Sequence, residues 1–410
     1  MNVWVFNHYA ESPDGAATRT FDLGRALVGK GHRVTIFACS FSHYRLREEH
    51  FTKRLRFVKV EEREGVRFIW LRGLRYGTND WRRIANFVGY AVSSFLCGLA
   101  KLPRPHVVIG SSVHPLGGLA ALAVSRLIRR PFFLEVPDLW PQVLIDFGRI
   151  GPEGRRARVL RRIERILLHG AERIIMLWRD TDEYVHRLGI AADKQVWIPH
   201  VVDPRLYDGL PDYADHEPPF TVMYLGSLVE SMALDVVLDA ASILLAAGRN
   251  DIRIVLIGGG SERSRLVSRA QQLRLSNVEI REPVPKAEVP KVLASADCFL
   301  CCTKRLPVYR YGMSMSKTCE YLMAGRPVVF AGESTYNPVA EAQAGITVKA
   351  EDPEALAAAI QEVIDLPFDT RRDMGQRGRA WVARRHDVRI LADRLEQVLL
   401  SGMPAEATRA

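Results

Sequence analysis

A basic loop that leads into a helix contains the residues with the clearest chemical potential. Residues 306–327 read LPVYRYGMSMSKTCEYLMAGRP. Arg310, Ser316 and Lys317 stand near the start of the predicted helix, and Glu320 supplies a carboxylate one turn later. The free N–H groups and the positive dipole at a helix N-terminus suit an anion such as phosphate. We therefore expect phosphate recognition here, with Glu320 addressing another part of the same ligand. An ordinary loop and core helix is the alternative.

Two polar side chains follow predicted strands in the first half of the chain. His114 comes shortly after the apolar run 107–110, and Asp138 follows the run 131–136. The carboxyl ends of parallel strands form the rim at which doubly wound sheets bind ligands. His114 could act there or be a structural histidine, and Asp138 could act there or cap the next segment. Both are therefore candidate functional residues.

Alternating strands and helices position these residues. The chain opens with an apolar strand at residues 3–6, a turn that contains Gly15, a helix and a second strand. A second series begins with a strand at 221–225, and Gly226 follows it. This alternation predicts two doubly wound parallel sheets. The glycine run at 258–260 lacks the Gly-x-Gly-x-x-Gly spacing of a dinucleotide site.

The segment SMSKTCEYLMAGRPVV resembles the donor-binding segment of retaining glycosyltransferases of family 4, which have the GT-B fold and use sugar nucleotides. The similarity is greatest to the bacterial subgroup that builds capsule, O-antigen and exopolysaccharide. The motif DLWP that starts at Asp138 and the segment IPHVVD at 198–203 also resemble that subgroup. The resemblance covers nearly the whole chain, from residue 2 to about residue 395.

The resemblance implies an α/β protein of the GT-B class, with two Rossmann-like, doubly wound domains facing across a cleft. Residues 1–200 would form the acceptor-binding domain and residues 201–385 the nucleotide-sugar-binding domain. Residues 386–410 would form a helix that returns to the first domain, followed by a tail. The length of 410 residues also favours two domains, because one hydrophobic core rarely supports so long a chain.

For the donor, the resemblance implies that Glu320 holds the nucleotide ribose. Gly312 stands where the family carries a first glutamate that contacts the sugar. Ser227 and Met232 stand where an arginine and a lysine commonly contact the diphosphate. Another cation must then balance the phosphate charge, and Lys317 is the first candidate.

Arg310 is the second candidate, because it lies in the same loop before the helix. The resemblance also implies that a reaction of this kind uses neither a metal ion nor a cofactor other than the sugar nucleotide. The backbone of Gly15 and Ala16 would approach the diphosphate or the acceptor. His114 would contact the sugar or acceptor, and Asp138 would orient the acceptor hydroxyl. The other implied donor contacts are Gly226, Gly258, Ser316 and Val284, the last in the loop that meets the base.

Charge is unevenly distributed along the chain. The net charge is +10, from 57 Lys and Arg against 47 Asp and Glu. Residues 1–200 hold 32 basic and 19 acidic side chains, a balance of +13, and residues 201–410 hold 25 and 28, a balance of −3. The basic half suggests an anionic partner such as a diphosphate-bearing acceptor, lipid headgroups or nucleic acid. No nucleic-acid reader motif is recognisable, so we expect no nucleic-acid partner.

Two segments bear on membrane contact. Residues 154–168 form a basic amphipathic helix pattern with six arginines, which suits an anionic membrane surface and a solvated face equally. Residues 81–99 predict a helix with a wide apolar face, for which packing on the sheet is preferred to membrane contact. The start lacks a signal-peptide pattern, and the six cysteines lack the spread of a disulfide framework. We expect a cytoplasmic protein and leave peripheral contact with the inner face of the membrane open.

These features together predict a retaining glycosyltransferase. It would move a sugar from a nucleoside-diphosphate sugar, with UDP expected from the resemblance, to a glycan or lipid-linked acceptor in cell-surface polysaccharide synthesis. Two rival functions stay open on the same fold. A sugar-nucleotide 2-epimerase would convert the donor without an acceptor, and a non-catalytic partner in an assembly complex would bind nucleotide and leave the sugar bond intact.

Overall fold

The computed structural model describes residues 1–15, 17–52, 56–77, 81–100 and 102–403. The chain forms two compact units. The first runs from Met1 to Val201 and resumes at Val388, and the second runs from Val202 to Asp387. The two ends of the second unit adjoin, because Val202 and Asp387 form a parallel β-bridge.

The first unit is built on a large, mainly parallel sheet. In the described residues this sheet has eight strands in the order β10-β9-β8-β7-β1-β2-β6-β5, and β3 and β4 form a separate antiparallel pair. The strands are β1 (Asn2–Phe6), β2 (Arg33–Cys39), β3 (Phe41–Ser42), β4 (Arg47–Glu48), β5 (Val58–Arg63), β6 (Val66–Leu71), β7 (Val107–Ser111), β8 (Phe132–Val136), β9 (Arg173–Met176) and β10 (Gln195–Trp197). Edge strand β5 is antiparallel to β6. The central strands β1, β7 and β8 are buried along their whole length, as expected for a parallel sheet covered on both faces.

Helices α2, α3 and α5 form one layer of the first unit, because α2 and α5 each pack against α3. The helices are α1 (Arg19–Gly29), α2 (Trp81–Leu99), α3 (Pro115–Leu127), α4 (Gln142–Asp146), α5 (Arg155–Gly170) and α6 (Asp182–Arg187). Glycines allow these helices to approach one another closely. A Cβ at Gly98 of α2 would lie 2.9 Å from Val124 of α3, and a Cβ at Gly118 of α3 would lie 3.1 Å from Leu167 of α5.

The second unit contains a fully parallel six-stranded sheet, and all of its residues are described. Its strands are β11 (Phe220–Leu225), β12 (Ile252–Ile257), β13 (Val278–Arg281), β14 (Cys298–Cys302), β15 (Val328–Ala331) and β16 (Gly345–Val348), in the order β13-β12-β11-β14-β15-β16. The strand order reverses between β11 and β14, and in the first unit it reverses between β1 and β7. Loops diverge at such reversals, which is where doubly wound sheets bind ligands.

Helices of the second unit are α7 (Asp235–Ala246), α8 (Arg263–Gln272), α9 (Val289–Leu293), α10 (Ser316–Ala324), α11 (Pro338–Glu341), α12 (Pro353–Asp365) and α13 (Phe368–Arg385). Helix α10 follows β14 and a short 3₁₀ turn at Pro307–Tyr311. It ends at Gly325, whose φ of +72° favours glycine. The predicted loop and helix at 306–327 is therefore observed.

The C-terminal segment after residue 367 is helical and contains one break. The structure breaks it at His386 and Asp387 into α13 and α14 (Val388–Ser401). The His386 ring is buried and lies within hydrogen-bond distance of Cys319 Sγ (3.3 Å) and Tyr336 Oη (3.0 Å). These contacts hold the break where the chain passes between units. Helix α14 belongs to the first unit and packs against α1.

The predicted α/β class with two Rossmann-like sheets is confirmed. None of the helices in the described ranges has the length and apolar character needed to cross a bilayer.

Candidate functional site

Helix α10 begins beside the end of β11, at the strand-order reversal of the second unit. The Tyr321 hydroxyl fixes this placement, because it accepts from the Leu225 N–H and donates to the Leu225 carbonyl, both at 2.8 Å. Tyr321 is fully buried and stacks on Phe299 of β14 at 4.6 Å between ring centroids. The N-terminus of α10 is thus held rigidly at the carboxyl edge of the sheet.

The loops after β11 and β12 pack backbone against backbone. A Cβ at Gly258 would lie 1.9 Å from the Gly226 carbonyl oxygen, and a Cβ at Gly260 would lie 2.2 Å from that of Leu228. Gly258 and Gly260 also have φ values of +155° and +147°. Only glycine meets both conditions. The structure therefore brings together two predicted donor contacts, Gly226 and Gly258.

Lys317 places an ammonium group beside this glycine contact. Its Nζ donates to the Tyr224 hydroxyl (3.0 Å) and lies 2.7 Å from the Met232 sulfur. A Cβ at Gly226 would lie 2.7 Å from Lys317 Cε. In the described part of the chain no carboxylate lies within 4 Å of this ammonium. Burial lowers the pKa of Lys317, because little water reaches the charged form. The site thus holds a half-buried cation without a carboxylate in ion-pair contact, and Glu320 acts on it only from a longer distance.

Met232 occupies the position of the family's lysine, and the Lys317 ammonium lies against it. Ser227, at the position of the family's arginine, is exposed, and its carbonyl accepts from the Tyr224 hydroxyl (2.7 Å). Tyr224 therefore links the β11 loop to Lys317. This hydroxyl orients the ammonium that we expect to replace the two missing cations.

A half-buried ammonium without an ion-pair partner within 4 Å should destabilise the ligand-free protein. The loss of folding free energy is complete at pH values below the lowered pKa of the folded state, where the lysine is charged. It disappears above the ordinary lysine pKa of about 10.4, where the lysine is neutral in both states. We expect Lys317→Met to raise the free energy of unfolding at pH 7 by on the order of 1 kcal/mol. Urea unfolding at pH 7 and pH 10 measures this difference. Lys304→Met is the matched control, since Lys304 pairs with Glu230 at 2.7 Å. A Lys317→Met protein less stable than the wild type at pH 7 would contradict the reasoning.

Arg310 is exposed in the 3₁₀ turn before α10. Its guanidinium lies 4.7 Å above the Tyr311 ring and donates to the Tyr311 hydroxyl (2.6 Å). The structure shows no contact between Arg310 and Lys317, so the role of Arg310 as a second phosphate cation stays a prediction. The neighbouring cations are engaged elsewhere, since Lys304 pairs with Glu230 and Arg305 with Glu333.

Gly312 has backbone angles that strongly disfavour a side chain. Its φ is +90° and its ψ is −169°, a region that essentially only glycine occupies. The loop is therefore built without the glutamate that the family carries at this position. Ser316, by contrast, is exposed at the first residue of α10, where its hydroxyl is free to face a ligand.

Restoring the family's residue should not restore its contact. We expect Gly312→Glu to lower the free energy of unfolding by ~1–3 kcal/mol without raising activity. Gly312→Ala is the control, because it imposes the same backbone strain without a carboxylate. Chemical denaturation and initial rates measure both effects. A stable and more active Gly312→Glu protein would show that the loop adapts.

Glu320 lies one turn into α10 and forms an ion pair with Lys286. Lys286 comes two residues after Val284, which is half-buried in the loop predicted to meet the base. This pair therefore joins the predicted ribose and base contacts. Lys286 was not predicted from the sequence. Its only signal there is that a single lysine directly follows this loop.

In the first unit, His114 is fully buried at the end of β7. The Gly117 N–H donates to His114 Nδ1 (3.2 Å), which caps α3. The neutral ring must then carry its hydrogen on Nε2, and Nε2 has no partner among the described residues. Burial, with His8 and Arg83 nearby, holds the pKa of His114 well below its usual value. His114 is thus a neutral hydrogen-bond donor, and proton transfer by an imidazolium is disfavoured.

His8 follows β1, and His114 follows β7. The two residues therefore lie on either side of the strand-order reversal of the first unit. Its ring centroid lies 4.6 Å from that of His114, and Phe87 of α2 stacks on His114 at 4.3 Å. The His8 Nε2 lies 2.6 Å from Asn86 Oδ1, and burial lowers the pKa of His8 to about 3. Two neutral imidazoles therefore stand at the strand-order reversal of the first unit. Sequence reasoning singled out only His114.

Asp138 is exposed just beyond β8, and its carboxylate has no hydrogen-bond partner in the described part of the chain. Protein atoms around this carboxyl keep water from part of it and so raise its pKa. The side chain is still exposed to solvent, which makes the shift smaller. The main-chain carbonyl of Asp138 accepts from the Trp140 N–H (3.0 Å). The side chain therefore does not cap the next segment and is free to meet a ligand.

The turn around Gly15 packs tightly against the Glu11 side chain. The Gly15 N–H donates to the Ser12 carbonyl (2.8 Å), and the Ala17 N–H donates to Glu11 Oε2 (3.3 Å). A Cβ at Gly15 would lie 2.3 Å from Glu11 Cβ. The Gly15 N–H is therefore already used, and the predicted diphosphate contact would require this turn to open. Ala16, predicted beside it, lies outside the described residues.

Two family models match the sequence. The model described as "Glycosyl transferase 4-like domain" matches residues 14–200, and "Glycosyl transferases group 1" matches residues 211–381. Together they span most of both units. This chain belongs to the family 4-type glycosyltransferases of the GT-B fold.

Known relatives of this glycosyltransferase agree with that assignment. The Escherichia coli protein WcaI, a glycosyl transferase assigned to colanic acid biosynthesis, is 24% identical over 392 residues, which cover 90% of this chain and 93% of WcaI. Sucrose-phosphate synthase from Thermosynechococcus elongatus has a TM-score of 0.77 at 18% identity, with 98% of each chain covered. Anabaena HepE, solved with UDP and glucose, has a TM-score of 0.68 at 14% identity, covering 98% of this chain and all of HepE. The two structures show a shared fold.

The cysteines of this glycosyltransferase are structural in the described residues. Cys298 and Cys301 lie buried in β14, and burial raises the pKa of Cys298 to about 12, so its thiol stays protonated. Across the described ranges no three His, Cys, Asp or Glu side chains are grouped so that they could hold a metal ion.

Proposed function

We propose that this glycosyltransferase transfers a sugar, with retention of configuration, from a nucleoside-diphosphate sugar to a glycan or lipid-linked acceptor in cell-surface polysaccharide synthesis. The observation that carries the proposal is the Lys317 ammonium, which lies against Gly226 with no carboxylate within 4 Å in the described residues. Lys317 is half-buried and its hydrogen-bond partner Tyr224 is uncharged, so a ligand of opposite charge would complete the site favourably. A diphosphate supplies the missing negative charge.

The leaving diphosphate would gain charge as the bond to the sugar breaks. Lys317 and the free N–H groups at the start of α10 are aimed at the edge of the sheet where that charge would develop. Met315, Ser316 and Lys317 begin the helix without a side-chain cap, so these N–H groups are available to a ligand. In this proposal the lysine and helix do the work that a bound metal does in other transferases.

The nucleoside would lie along Glu320 and the Val284 loop. A carboxylate can accept hydrogen bonds from both ribose hydroxyls, and Glu320 is one turn further along α10 than Lys317. In the ligand-free protein Glu320 is engaged by Lys286. Nucleotide binding would therefore require the ion pair to open or to share the carboxylate with the ribose.

His114 and Asp138 would serve the sugar and the acceptor. Because the His114 ring is fully buried, its Nε2 would donate to a hydroxyl only after the residues that cover it move, and it would not transfer protons, since its pKa is held well below the usual range. The exposed Asp138 carboxylate would orient an acceptor hydroxyl. In the proposed reaction the bond from the sugar carbon to the phosphate oxygen breaks and the bond to the acceptor oxygen forms on the same face. The acceptor proton passes to the leaving phosphate.

The relatives support two further points of the proposal. WcaI is assigned to colanic acid biosynthesis, which supports a surface polysaccharide as the product. HepE was solved with UDP and glucose, which supports UDP as the nucleotide.

Thermal stabilisation by a panel of UDP-, GDP- and ADP-sugars tests the donor. A ligand that binds only the folded state raises the melting temperature, by an amount that grows with its concentration above Kd. We expect UDP-sugars to stabilise the protein and Lys317→Ala to lose most of this shift. Product analysis by mass spectrometry and NMR then assigns the reaction. Donor conversion without acceptor would indicate an epimerase, and tight binding with no turnover on any acceptor would indicate a non-catalytic partner.

A further inference from the structure

A cavity of about 450 Å³ lies in the second unit, at the carboxyl end of α10. It is lined by Tyr207 and residues 210–213, by the end of α10 and by one face of α13. All of its lining residues belong to the second unit, and all of them are described. We call this space the α10–α13 cavity.

This cavity is distinct from the predicted donor site. The donor contacts on α10 start at Ser316, whereas the cavity is lined by Met323, Ala324 and Gly325. With a rise of about 1.5 Å per residue, the nine residues of α10 place its two ends about 12 Å apart. None of the residues that line the cavity belongs to the predicted donor or acceptor site.

Arg326 is the buried cation of this cavity. Its side chain is only 5% exposed, and its guanidinium lies 5.0 Å from the centroid of the Tyr213 ring. It donates at 2.7–3.3 Å to three main-chain carbonyls, those of Ala294, Ala296 and Ala324. Because a guanidinium has five N–H groups, these bonds leave two of them without a partner among the described residues.

Two further arginines come from α13 and are more exposed than Arg326, so they lie nearer the mouth of the cavity. Arg372 forms an ion pair with Asp369 at 2.9 Å. Arg379 is exposed, and its Cδ would lie 3.9 Å from a Cβ at Gly325, which places it beside the end of α10. Arg379 is therefore available to a ligand.

The protein balances this positive charge incompletely. No carboxylate of the described residues lies within 4 Å of Arg326 or Arg379. Burial lowers the pKa of Arg326, and the nearby charge of Arg379 lowers it further. Asp297 and Asp212 oppose this shift only from beyond 4 Å, and Asp297 is itself engaged by His216 (2.7 Å). The carbonyl end of α10 adds only a partial negative charge, of about half a unit. An anion in the cavity would relieve the repulsion between the two arginines.

We propose that the α10–α13 cavity binds a phosphorylated sugar. Arginine matches the oxygens of a phosphate group, and Arg372 and Arg379 stand where that group would enter. Asp212 and Gln376 also line the cavity and can bond to sugar hydroxyls, while Leu210 offers an apolar contact to the ring. A volume of about 450 Å³ suits a small molecule. The inference goes beyond the proposed function and does not depend on it.

Calorimetric titration of the full-length protein with glucose 1-phosphate, inorganic phosphate and glucose tests the site. We expect glucose 1-phosphate to bind most tightly, inorganic phosphate more weakly and glucose not detectably. Arg372→Gln/Arg379→Gln should bind glucose 1-phosphate at least about ten-fold more weakly, because charge-assisted hydrogen bonds are lost. Arg384→Gln is the matched control, since Arg384 is exposed on the same helix and does not line the cavity. Unchanged thermal unfolding confirms that the variants fold.

Two more variants locate the ligand. Asp212→Asn should narrow the preference for glucose 1-phosphate over inorganic phosphate several-fold, because it weakens a hydroxyl contact and removes a nearby negative charge. Lys317→Ala should bind glucose 1-phosphate as the wild type does, whether or not UDP proves to be the donor nucleotide.

Four results would overturn the proposal. The first is that the wild type binds neither phosphate, and the second is that Arg372→Gln/Arg379→Gln binds glucose 1-phosphate as tightly as the wild type. The third is loss of binding in Lys317→Ala, which would assign the ligand to the donor site. The fourth is equal affinity for glucose 1-phosphate and inorganic phosphate, which would show that the cavity does not recognise the sugar.

Discussion

Lys317→Ala should lower the turnover number by on the order of 10²-fold, with a smaller effect on the KM for the donor. The ammonium lies 3.0 Å from the Tyr224 hydroxyl and against Gly226, and no carboxylate of the described residues lies within 4 Å of it. Its positive charge is therefore available for the phosphate oxygen that departs from the sugar. Because that oxygen becomes more negative in the transition state than in the bound donor, most of the loss should fall on turnover.

Initial rates with saturating donor and acceptor measure this effect. Lys304→Ala is the control, because Lys304 is a nearby lysine whose charge is engaged by Glu230. Lys317→Arg gives a second comparison. It keeps the charge in a larger group, and little space is left beside Gly226, where an added Cβ would lie 2.7 Å from Lys317 Cε. Near-normal turnover of Lys317→Ala would remove Lys317 from the reaction.

The sequence identified the loop and helix around Lys317 because strong local signals mark it. An apolar strand, a basic loop and Gly325 at the end of α10 all agree with one another, and the structure places them as expected. The substitution of Met232 for a lysine could be read from sequence as a missing cation. That Lys317 lies against the Met232 sulfur could not, because the contact joins residues 85 positions apart.

Backbone conformation explains what the sequence left open at Gly312. A missing glutamate indicates a lost sugar contact, and the structure adds that the φ of +90° strongly disfavours a side chain there. Edge strand β5 was also not predicted. Its sequence VKVEER is charged and largely exposed, so it lacks the apolar signal of the central strands.

Tertiary contacts decided the roles of residues in the first unit. The expectation that His114 stands near the strand ends is consistent with its place after β7, but its capping bond to Gly117 fixes a neutral tautomer. The closure of the Gly15 turn on Glu11 likewise depends on a buried carboxylate whose Oε1 accepts from the Ser42 hydroxyl (2.6 Å). The orientation of α2 could not be read from its apolar pattern, because the buried face carries Asn86, Tyr90, Ser94 and Gly98 and the more apolar face is exposed.

Glu320→Ala should weaken binding of the nucleotide by on the order of 10²-fold, since two hydrogen bonds to a charged carboxylate would be lost. Turnover at saturating donor should change less, because the ribose lies away from the breaking bond. Calorimetric titration with UDP, or with the nucleotide that the thermal panel selects, measures the affinity. Glu320→Gln should fall between the wild type and Glu320→Ala, because it keeps an acceptor and loses the charge.

The ion pair with Lys286 makes the source of this loss testable. If Glu320 holds the ribose, the wild type should prefer UDP to 2′,3′-dideoxy-UDP, and Glu320→Ala should bind both equally. Lys286→Met separates the two contacts, because it frees the carboxylate without removing it. It should bind UDP at least as tightly as the wild type and keep the preference for the ribose hydroxyls. If Lys286→Met loses affinity as Glu320→Ala does, and Glu320→Ala keeps the preference, the carboxylate serves to position Lys286. The lysine would then be the residue that holds the nucleotide.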